Sequence, residues 1–267
     1  MGKQAKWERA LVTGASEGIG EAFAHELAGR GADLVVVSRR KDVLERLSAE
    51  LVSDHGVDVE VLAADLTDPH AIAEVEARLE TDVRPIDLVV NNAGGASQHR
   101  PFLELDRDGL ARDAHLNAIT LLRLTHAAAQ AMARRGHGNL VNVSAGIAFY
   151  PLPWAAAYGA SKAFVNSLSE ALDYELRDRG VRLTAVCPGF TRTGAQRRLG
   201  MNVEWVPEVL WMEPQEVAVA ALRAAARGRQ VSSLSKIGAL QAFLGRHLPR
   251  RVWLPRVARA QRRILGT

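Results

Sequence analysis

The chain has 267 residues, 48% of them hydrophobic, and a formal net charge of +4. This is enough apolar sequence for one substantial core, so we expect a single domain over residues 1–267. No apolar run is long enough to span a membrane and no secretory signal is recognisable, which predicts a cytoplasmic location. The single cysteine, Cys187, excludes an intrachain disulfide, and eight scattered histidines without paired spacing predict no metal site.

Short β-branched runs alternate with longer amphipathic segments, the pattern of consecutive βα units. The runs predict six strands and a weaker seventh, over residues 9–13, 33–37, 58–64, 86–91, 139–144, 182–187 and 230–235. The clearest helices are predicted over residues 18–29, 41–54, 69–81, 118–135 and 154–179. The predicted fold class is therefore α/β, a Rossmann-type, doubly wound parallel sheet of about seven strands with helices on both faces.

A glycine-rich turn, TGASEGIG, follows the first strand and opens the first helix. Gly14, Gly18 and Gly20 leave out side chains where a backbone must come close to a pyrophosphate, and the N–H groups of a helix N-terminus attract anions. The spacing GxxxGxG differs from the commoner GxGxxG fingerprint. Alone, it is as typical of a plain structural turn as of a nucleotide site.

The end of the second strand, VVVSRRK, indicates which cofactor would bind. A site for NAD would place an acidic residue here to bind the ribose hydroxyls, whereas this chain has Ser38, Arg39 and Arg40. A guanidinium at this place suits the 2′-phosphate of NADP, because it offers forked, charge-assisted hydrogen bonds. The alternative is that the arginines are solvated at the start of a helix.

Four motifs, TGASEGIG, NNAG (91–94), YGASK (158–162) and CPGFTRT (187–193), resemble those of the short-chain dehydrogenase/reductase family, in that family's order over roughly residues 8–195. The resemblance implies NADP(H) as cofactor. It also implies that Asp65 contacts the adenine, although helix capping explains this acid almost as well. The predicted cofactor-binding residues are Gly14, Ser16, Gly18, Ile19, Gly20, Ser38, Arg39, Arg40, Asp65, Leu66, Asn92, Ala93, Gly94, Tyr158, Lys162, Pro188, Gly189, Thr191 and Thr193.

Tyr158 and Lys162 lie four residues apart on one predicted helix, so their side chains share a face. A phenol with a pKa of about 10 is a poor acid or base at neutral pH, but a neighbouring ammonium favours the phenolate. We expect Tyr158 to protonate a carbonyl oxygen, with Lys162 adjusting the pKa of the phenol. The family resemblance adds Asn117, which would support the lysine through a water.

The family's serine would lie 13 residues before the tyrosine and 28 after the asparagine, and both counts reach Ala145. Ser144 is adjacent, but neighbours on a strand point to opposite faces. Three interpretations stay open: a bulge or twist lets Ser144 substitute, the enzyme works more slowly or with another donor, or catalysis has been lost. We take the first as the hypothesis, which makes Ser144 the fourth predicted catalytic residue.

The segment after the last motif predicts an apolar lid over a substrate pocket. The apolar residues concerned are Leu199, Met201, Trp205, Leu210, Trp211 and Met212, together with Phe149, Tyr150, Leu152 and Trp154 before the tyrosine helix. Such a pocket would accept a hydrophobic ketone or aldehyde, or the corresponding alcohol. The alternative is that these residues pack the core or a dimer contact.

The C-terminal part of the chain is strongly basic. From Val217 onward there are 11 basic residues and no acidic ones, whereas the preceding 216 residues carry 23 basic and 30 acidic residues. Residues 238–267 also show helical apolar spacing, at Leu240, Phe243, Leu244, Leu248, Val257, Ala260 and Ile264. This extension would either lie on an anionic membrane surface or pack its apolar face on the domain. No aromatic platform for nucleic acid is present.

The sequence therefore predicts an NADP(H)-dependent oxidoreductase that acts on a CH-OH or C=O group of a hydrophobic small molecule. The family resemblance implies a homodimer or homotetramer formed through the helices at 118–135 and 154–179. The competing interpretation is a nucleotide-binding protein without turnover that acts as a scaffold or partner subunit. Ala145 is its only support in the sequence.

Overall fold

The computed structural model describes residues 7–98 and 100–265. Residues 1–6 of the predicted domain and residues 266 and 267 of the predicted extension lie outside this part. The strands in it are β1 Arg9–Thr13, β2 Asp33–Ser38, β3 Val59–Ala63, β4 Leu88–Asn91, β5 Gly138–Val143, β6 Val181–Cys187, β7 Phe190–Thr191, β8 Trp211–Met212 and β9 Val231–Ser233. The helices are α1 Gly18–Gly29, α2 Lys41–His55, α3 Pro69–Glu80, α4 Arg107–Ala114, α5 Leu121–Arg135, α6 Ala156–Leu176, α7 Ala195–Arg198, α8 Pro214–Ala226, α9 Lys236–His247 and α10 Arg250–Leu265.

Seven parallel strands form the main sheet, in the order β3-β2-β1-β4-β5-β6-β9. The strand order reverses at β1 and β4, so the carboxyl ends of these two strands border the crevice in which doubly wound folds bind ligands. The two short strands β7 and β8 pair with each other outside this sheet. The predicted α/β architecture is thus confirmed, and each predicted strand overlaps an observed one.

Helices cover both faces because alternate residues of a strand point to opposite sides. On β1, Val12 belongs to the buried cluster that includes Phe23 of α1 and Leu44 of α2. Its neighbour Leu11 belongs to the cluster on the other face, with Ile72 of α3. The continuous apolar sequence of the strands follows from this burial on two sides.

Two of the predicted helices differ from the structure by more than one residue at an end. The helix predicted over residues 118–135 is the second half of a helical run that starts with α4 and passes through a wider π-helical turn at His115–Thr120. The helix predicted over residues 154–179 starts only at Ala156 and ends in a 3-10 turn at Arg177–Arg179. It starts late because Trp154 has a left-handed backbone, with φ of 63°, which cannot continue a right-handed helix.

The basic extension forms α9 and α10, which return onto the domain. Gly245 of α9 packs so closely on Tyr150 that an added Cβ would lie 2.4 Å from the tyrosine ring. Trp253 of α10 meets the same ring edge-on, with ring centroids 5.4 Å apart, and Ile264 is buried. This agrees with the interpretation in which much of the apolar face packs on the domain. In the described residues, no helix is both long and apolar enough to cross a membrane.

Candidate active site

The glycine turn joins the carboxyl end of β1 to α1 at the switch point of the sheet. Gly14 and Gly18 have positive φ values of 66° and 60°, a conformation that glycine adopts without strain. An added Cβ on Gly20 would lie 2.1 Å from the carbonyl oxygen of Gly14. Helix α1 begins without a side-chain cap, so its first N–H groups are available to a phosphate.

The predicted arginines at the end of β2 have different surroundings. The Arg40 guanidinium donates to the carbonyl of Ser16 at 2.9 Å and to the Glu17 carboxylate at 3.0 Å, and its backbone N–H donates to the Ser38 hydroxyl. Arg39 is exposed and has no hydrogen-bond or ion-pair partner among the described residues. Arg40 therefore braces the glycine turn, whereas the Arg39 guanidinium is free to bind an anion.

These two features together fit a phosphate-bearing dinucleotide. The turn presents backbone without side chains at the N-terminus of α1, and a free cation stands at the end of the neighbouring strand β2. A pyrophosphate suits the turn, and a further phosphate on the adenine ribose suits Arg39. Ile19, the remaining predicted residue of the turn, packs against the core below it.

Two of the predicted residues, Asp65 after β3 and Asn92 after β4, make hydrogen bonds at the crevice. Asp65 accepts hydrogen bonds from the backbone and hydroxyl of Thr67, and the cap of α3 is Asp68 instead. The amide of Asn92 donates to the carbonyls of Thr13 and Gly14, at 3.0 and 3.3 Å. Asn92 thus ties the glycine turn to the end of β4. Two more predicted residues lie here: Leu66 is buried, and Ala93 packs at the edge of the core.

Tyr158 and Lys162 lie on the first two turns of α6 and face each other. The Lys162 ammonium is 5.7 Å from the centre of the Tyr158 ring and donates to the carbonyl of Val143 at 2.8 Å. Burial raises the pKa of Tyr158 to about 12 and lowers the pKa of Lys162 to about 8, an effect that Cys187 partly offsets. At neutral pH the phenol is therefore protonated, which is the form that can donate to a carbonyl oxygen.

Asn117 lies in the π-helical turn, close to Gly94 and thus near the Lys162 ammonium. Its side chain accepts from the N–H of Gly95 at 2.9 Å and donates to the carbonyls of Gly95 and Asp113 at 2.6 and 2.7 Å. An added Cβ on Gly94 would lie 2.5 Å from the Asn117 oxygen and 3.5 Å from the Lys162 nitrogen. The structure therefore brings these three predicted residues together at the loop after β4.

Ser144 lies beyond the end of β5, and its hydroxyl donates to the backbone carbonyl of Lys162 at 2.9 Å. The side chain is only 2% exposed. Ala145 is extended, with φ of −157° and ψ of 157°, so its methyl group points away from the side taken by Ser144. This placement argues against the hypothesis that Ser144 substitutes at Ala145, because its hydroxyl proton is already bound to the helix backbone.

The predicted cofactor loop after β6 reaches back to the glycine turn. Pro188 accepts a backbone hydrogen bond from Gly146, and the Thr191 hydroxyl donates to the carbonyl of Gly189. The methyl group of Thr193 would lie 3.1 Å from an added Cβ on Gly18. Thr193 is thus the threonine that lies against the turn, whereas Thr191 is buried.

Part of the predicted lid lies beside the glycine turn. An open cavity of about 1140 Å³ separates α1 from the segment at residues 192–215, and its lining includes Gly18, Thr193, Met201 and Trp211. Neither residue of the Tyr158–Lys162 pair lines it. Within the described residues, no group of three or more His, Cys, Asp or Glu side chains is placed to hold a metal ion.

Helix α10 makes contacts around the site that no pattern in the sequence predicts. Arg262 stacks at 5.0 Å on the ring of Trp154, which lies four residues before Tyr158. Arg263 stacks on Trp205, and the N–H of Asn202 donates to the carbonyl of Ile264 at 2.9 Å. Local periodicity carries no signal for such contacts, because the partners are distant in the sequence.

The fold and the site define a dinucleotide-binding protein of the Rossmann class, with a tyrosine and lysine at the crevice. The family model described as short chain dehydrogenase matches residues 8–204, and the chain belongs to this family.

Named relatives and solved structures are similar to the chain. It is 32% identical to the very-long-chain 3-oxoacyl-CoA reductase of Anas platyrhynchos over 189 residues, which are 69% of this chain and 60% of that protein. The structure matches a short-chain dehydrogenase from Sphingobium yanoikuyae in complex with NADPH, with a TM-score of 0.80, 37% identity and coverage of 97% and 95% of the two chains. It also matches the bulky-bulky ketone specific alcohol dehydrogenase from Comamonas testosteroni, with a TM-score of 0.76, 32% identity and coverage of 98% and 95%.

Proposed function

We propose that the protein is an NADP(H)-dependent oxidoreductase that reduces a hydrophobic ketone or aldehyde to the alcohol, or catalyses the reverse reaction. The observation that carries this proposal is that Tyr158 lies beside Lys162 on α6, with Asn117 and the Lys162 ammonium both next to Gly94. The cofactor assignment is supported by the free Arg39 and by the NADPH complex of the similar Sphingobium protein.

The proposed chemistry divides between cofactor and protein. When bound, the cofactor supplies the hydride. Tyr158 holds the proton that the carbonyl oxygen needs, and its high pKa keeps that proton in place at neutral pH. The ammonium of Lys162 stabilises negative charge that develops on the phenol oxygen. Asn117 holds the loop at Gly95 against this pair.

The aromatic residues around the tyrosine helix support a hydrophobic substrate. Trp154 lies four residues before Tyr158, and Arg262 stacks on its ring. The similar Comamonas enzyme is named for ketones that are bulky on both sides, and the relative from Anas platyrhynchos for very-long-chain 3-oxoacyl-CoA. We therefore propose a ketone with bulky or long apolar substituents on both sides of the carbonyl.

A second candidate function is nucleotide binding without turnover. It is favoured by Ala145, which offers no hydroxyl, and by the Ser144 hydroxyl, which is occupied by the helix. Tight NADPH binding together with failure to reduce any bulky ketone would favour this function over the oxidoreductase.

Homo-oligomer formation and a cytoplasmic location stay predictions. The former is supported by exposed apolar side chains: Ile119 in the π-helical turn, Leu122 at the start of α5 and Phe164 on α6. Sedimentation of the purified protein measures this association directly.

Tyr158→Phe tests the proposed reaction. Loss of the phenol proton should lower kcat/KM for NADPH-dependent reduction of a bulky aryl ketone by roughly 100- to 10,000-fold. The change is measured from nicotinamide absorbance. NADPH binding, followed by its fluorescence, is the control and should persist. A variant as active as the wild type would exclude Tyr158 as the proton donor.

Ser144→Ala and Ala145→Ser form a matched pair. We expect Ser144→Ala to keep the wild-type kcat/KM while lowering the free energy of unfolding by about 1 kcal/mol, the typical net value of one hydrogen bond. Ala145→Ser adds a donor at the position of the family's serine and should raise kcat/KM, by up to roughly 100-fold. Loss of turnover in Ser144→Ala with normal stability would instead restore the hypothesis that Ser144 acts on the substrate.

The Lys162 pKa predicts the alkaline limb of the reaction. The ammonium is charged below a pH of about 8 and loses its charge as the pH rises through this value, so kcat/KM for reduction should decline above it. In Lys162→Arg the charge persists to higher pH, and the limb should move upward. The pH dependence of NADPH binding by the wild type gives a second measurement. A flat wild-type profile through this range in both measurements contradicts the assignment.

Arg39→Ala tests the cofactor preference. Removing the free guanidinium should raise the Kd for NADPH by roughly 10- to 100-fold, the value of hydrogen bonds to a charged group, and leave the Kd for NADH unchanged. Arg46→Ala, an exposed arginine on α2 that pairs with Asp42, is the matched control. Equal effects of Arg39→Ala on both nucleotides would mean that Arg39 does not contact a 2′-phosphate.

A further inference from the structure

The outer face of α9 combines exposed apolar side chains with basic ones. Lys236, Leu240, Phe243 and His247 follow helical spacing and share this face. Leu240 and Phe243 are each 57% exposed, and the Phe243 ring stacks on the His247 ring with centroids 4.3 Å apart. These four residues are called the α9 stripe below. The opposite side of the helix packs on the domain through Ala242 and Gly245.

The basic residues of the C-terminal part have no acidic partner within the described residues. None of the 11 basic residues from Val217 onward forms an ion pair there. The segment itself contains no acidic residue that could pair with them. At the start of α10, Arg251 and Val252 are also exposed, so a cation and an apolar side chain lie next to each other in the sequence there as well.

We propose that the α9 stripe, with Arg251 and Val252, docks the protein on an anionic lipid surface. Leu240 and Phe243 enter the interface between head groups and acyl chains, and the surrounding cations attract the anionic head groups. Since the side of α9 that carries Ala242 and Gly245 is packed on the domain, the stripe is presented as a preformed surface.

Charge complementarity favours a lipid surface over a second copy of the chain. In a symmetric dimer the same patch meets itself, so two basic faces without acids would repel each other. An anionic bilayer instead offers many negative charges to one face. Docking is independent of the proposed reaction and is measured without any substrate.

The position of α9 gives this docking a use in the proposed function. Arg246 of α9 stacks on Phe149 at 4.9 Å, and Gly245 packs on Tyr150. Both aromatic residues belong to the segment between Ala145 and Tyr158. A docked protein therefore holds this side of the site near the bilayer, where a hydrophobic ketone concentrates.

Flotation of the full chain with vesicles tests the proposal. We expect it to float with phosphatidylcholine vesicles that contain phosphatidylserine and not with pure phosphatidylcholine vesicles, and to be released at high salt. Leu240→Ser/Phe243→Ser should abolish flotation. Lys236→Gln/Arg251→Gln should lower the partition coefficient by roughly thirtyfold, because each cation near an anionic surface contributes about 1 kcal/mol.

The controls use exposed residues on other elements. Val83→Ser/Leu103→Ser removes two side chains that are 74% and 97% exposed, and Arg107→Gln/Arg179→Gln removes two exposed cations. Both should float like the wild type, with all variants compared at equal thermal stability. The proposal is overturned if the wild type does not float, floats equally with neutral vesicles, or loses binding as much in the controls. Self-association through the stripe without flotation would also overturn it, because the stripe would then bind a second copy of the chain and not a lipid surface.

Discussion

The site depends on the contact between the end of β5 and helix α6, above all on the hydrogen bond that holds the Lys162 ammonium. The Lys162 ammonium donates to the carbonyl of Val143, and the carbonyl of Lys162 accepts from the hydroxyl of Ser144. Lys162 is only 4% exposed, and this burial lowers the pKa of its ammonium. The bond to Val143 holds the lysine side chain on the face of α6 that also carries Tyr158. The same constraint leaves Ser144 no free proton, so Ala145 alone occupies the place of the family's serine.

Much of the sheet and the nucleotide crevice could be predicted from sequence, because buried parallel strands read as continuous apolar runs and the glycine turn has a local steric cause. The direction of Ser144 could not be, since it depends on where β5 ends and on a carbonyl 18 residues away. The late start of α6 could not be predicted either, because no local sequence pattern indicates the left-handed backbone conformation of Trp154. The stacking of Arg262 joins residues that only the tertiary fold brings together.

The extension replaces ion pairs with contacts to aromatic rings. Having no acidic residues of its own, it places Arg246, Arg262 and Arg263 on rings that belong to the segments around the site. Cation–π contacts use the face of the guanidinium and leave its N–H edge available for hydrogen bonds. The two interpretations of the extension are therefore compatible: α10 packs on the domain, while α9 keeps an apolar and basic face outward.

The π-helical turn at His115–Thr120 lowers the stability of its helix but places Asn117 at the site. Such a turn holds one residue more than a regular α-helix and is the less stable arrangement. Deleting one residue here would let the run from Arg107 to Arg135 close into an uninterrupted helix. The same deletion would rotate Asn117 by about 100° relative to the residues that follow, since each residue of a helix advances by that angle. A chain with this deletion would have a more regular helix, but Asn117 would no longer lie on the side of Lys162. Selection for stability alone would therefore remove the π-helical turn.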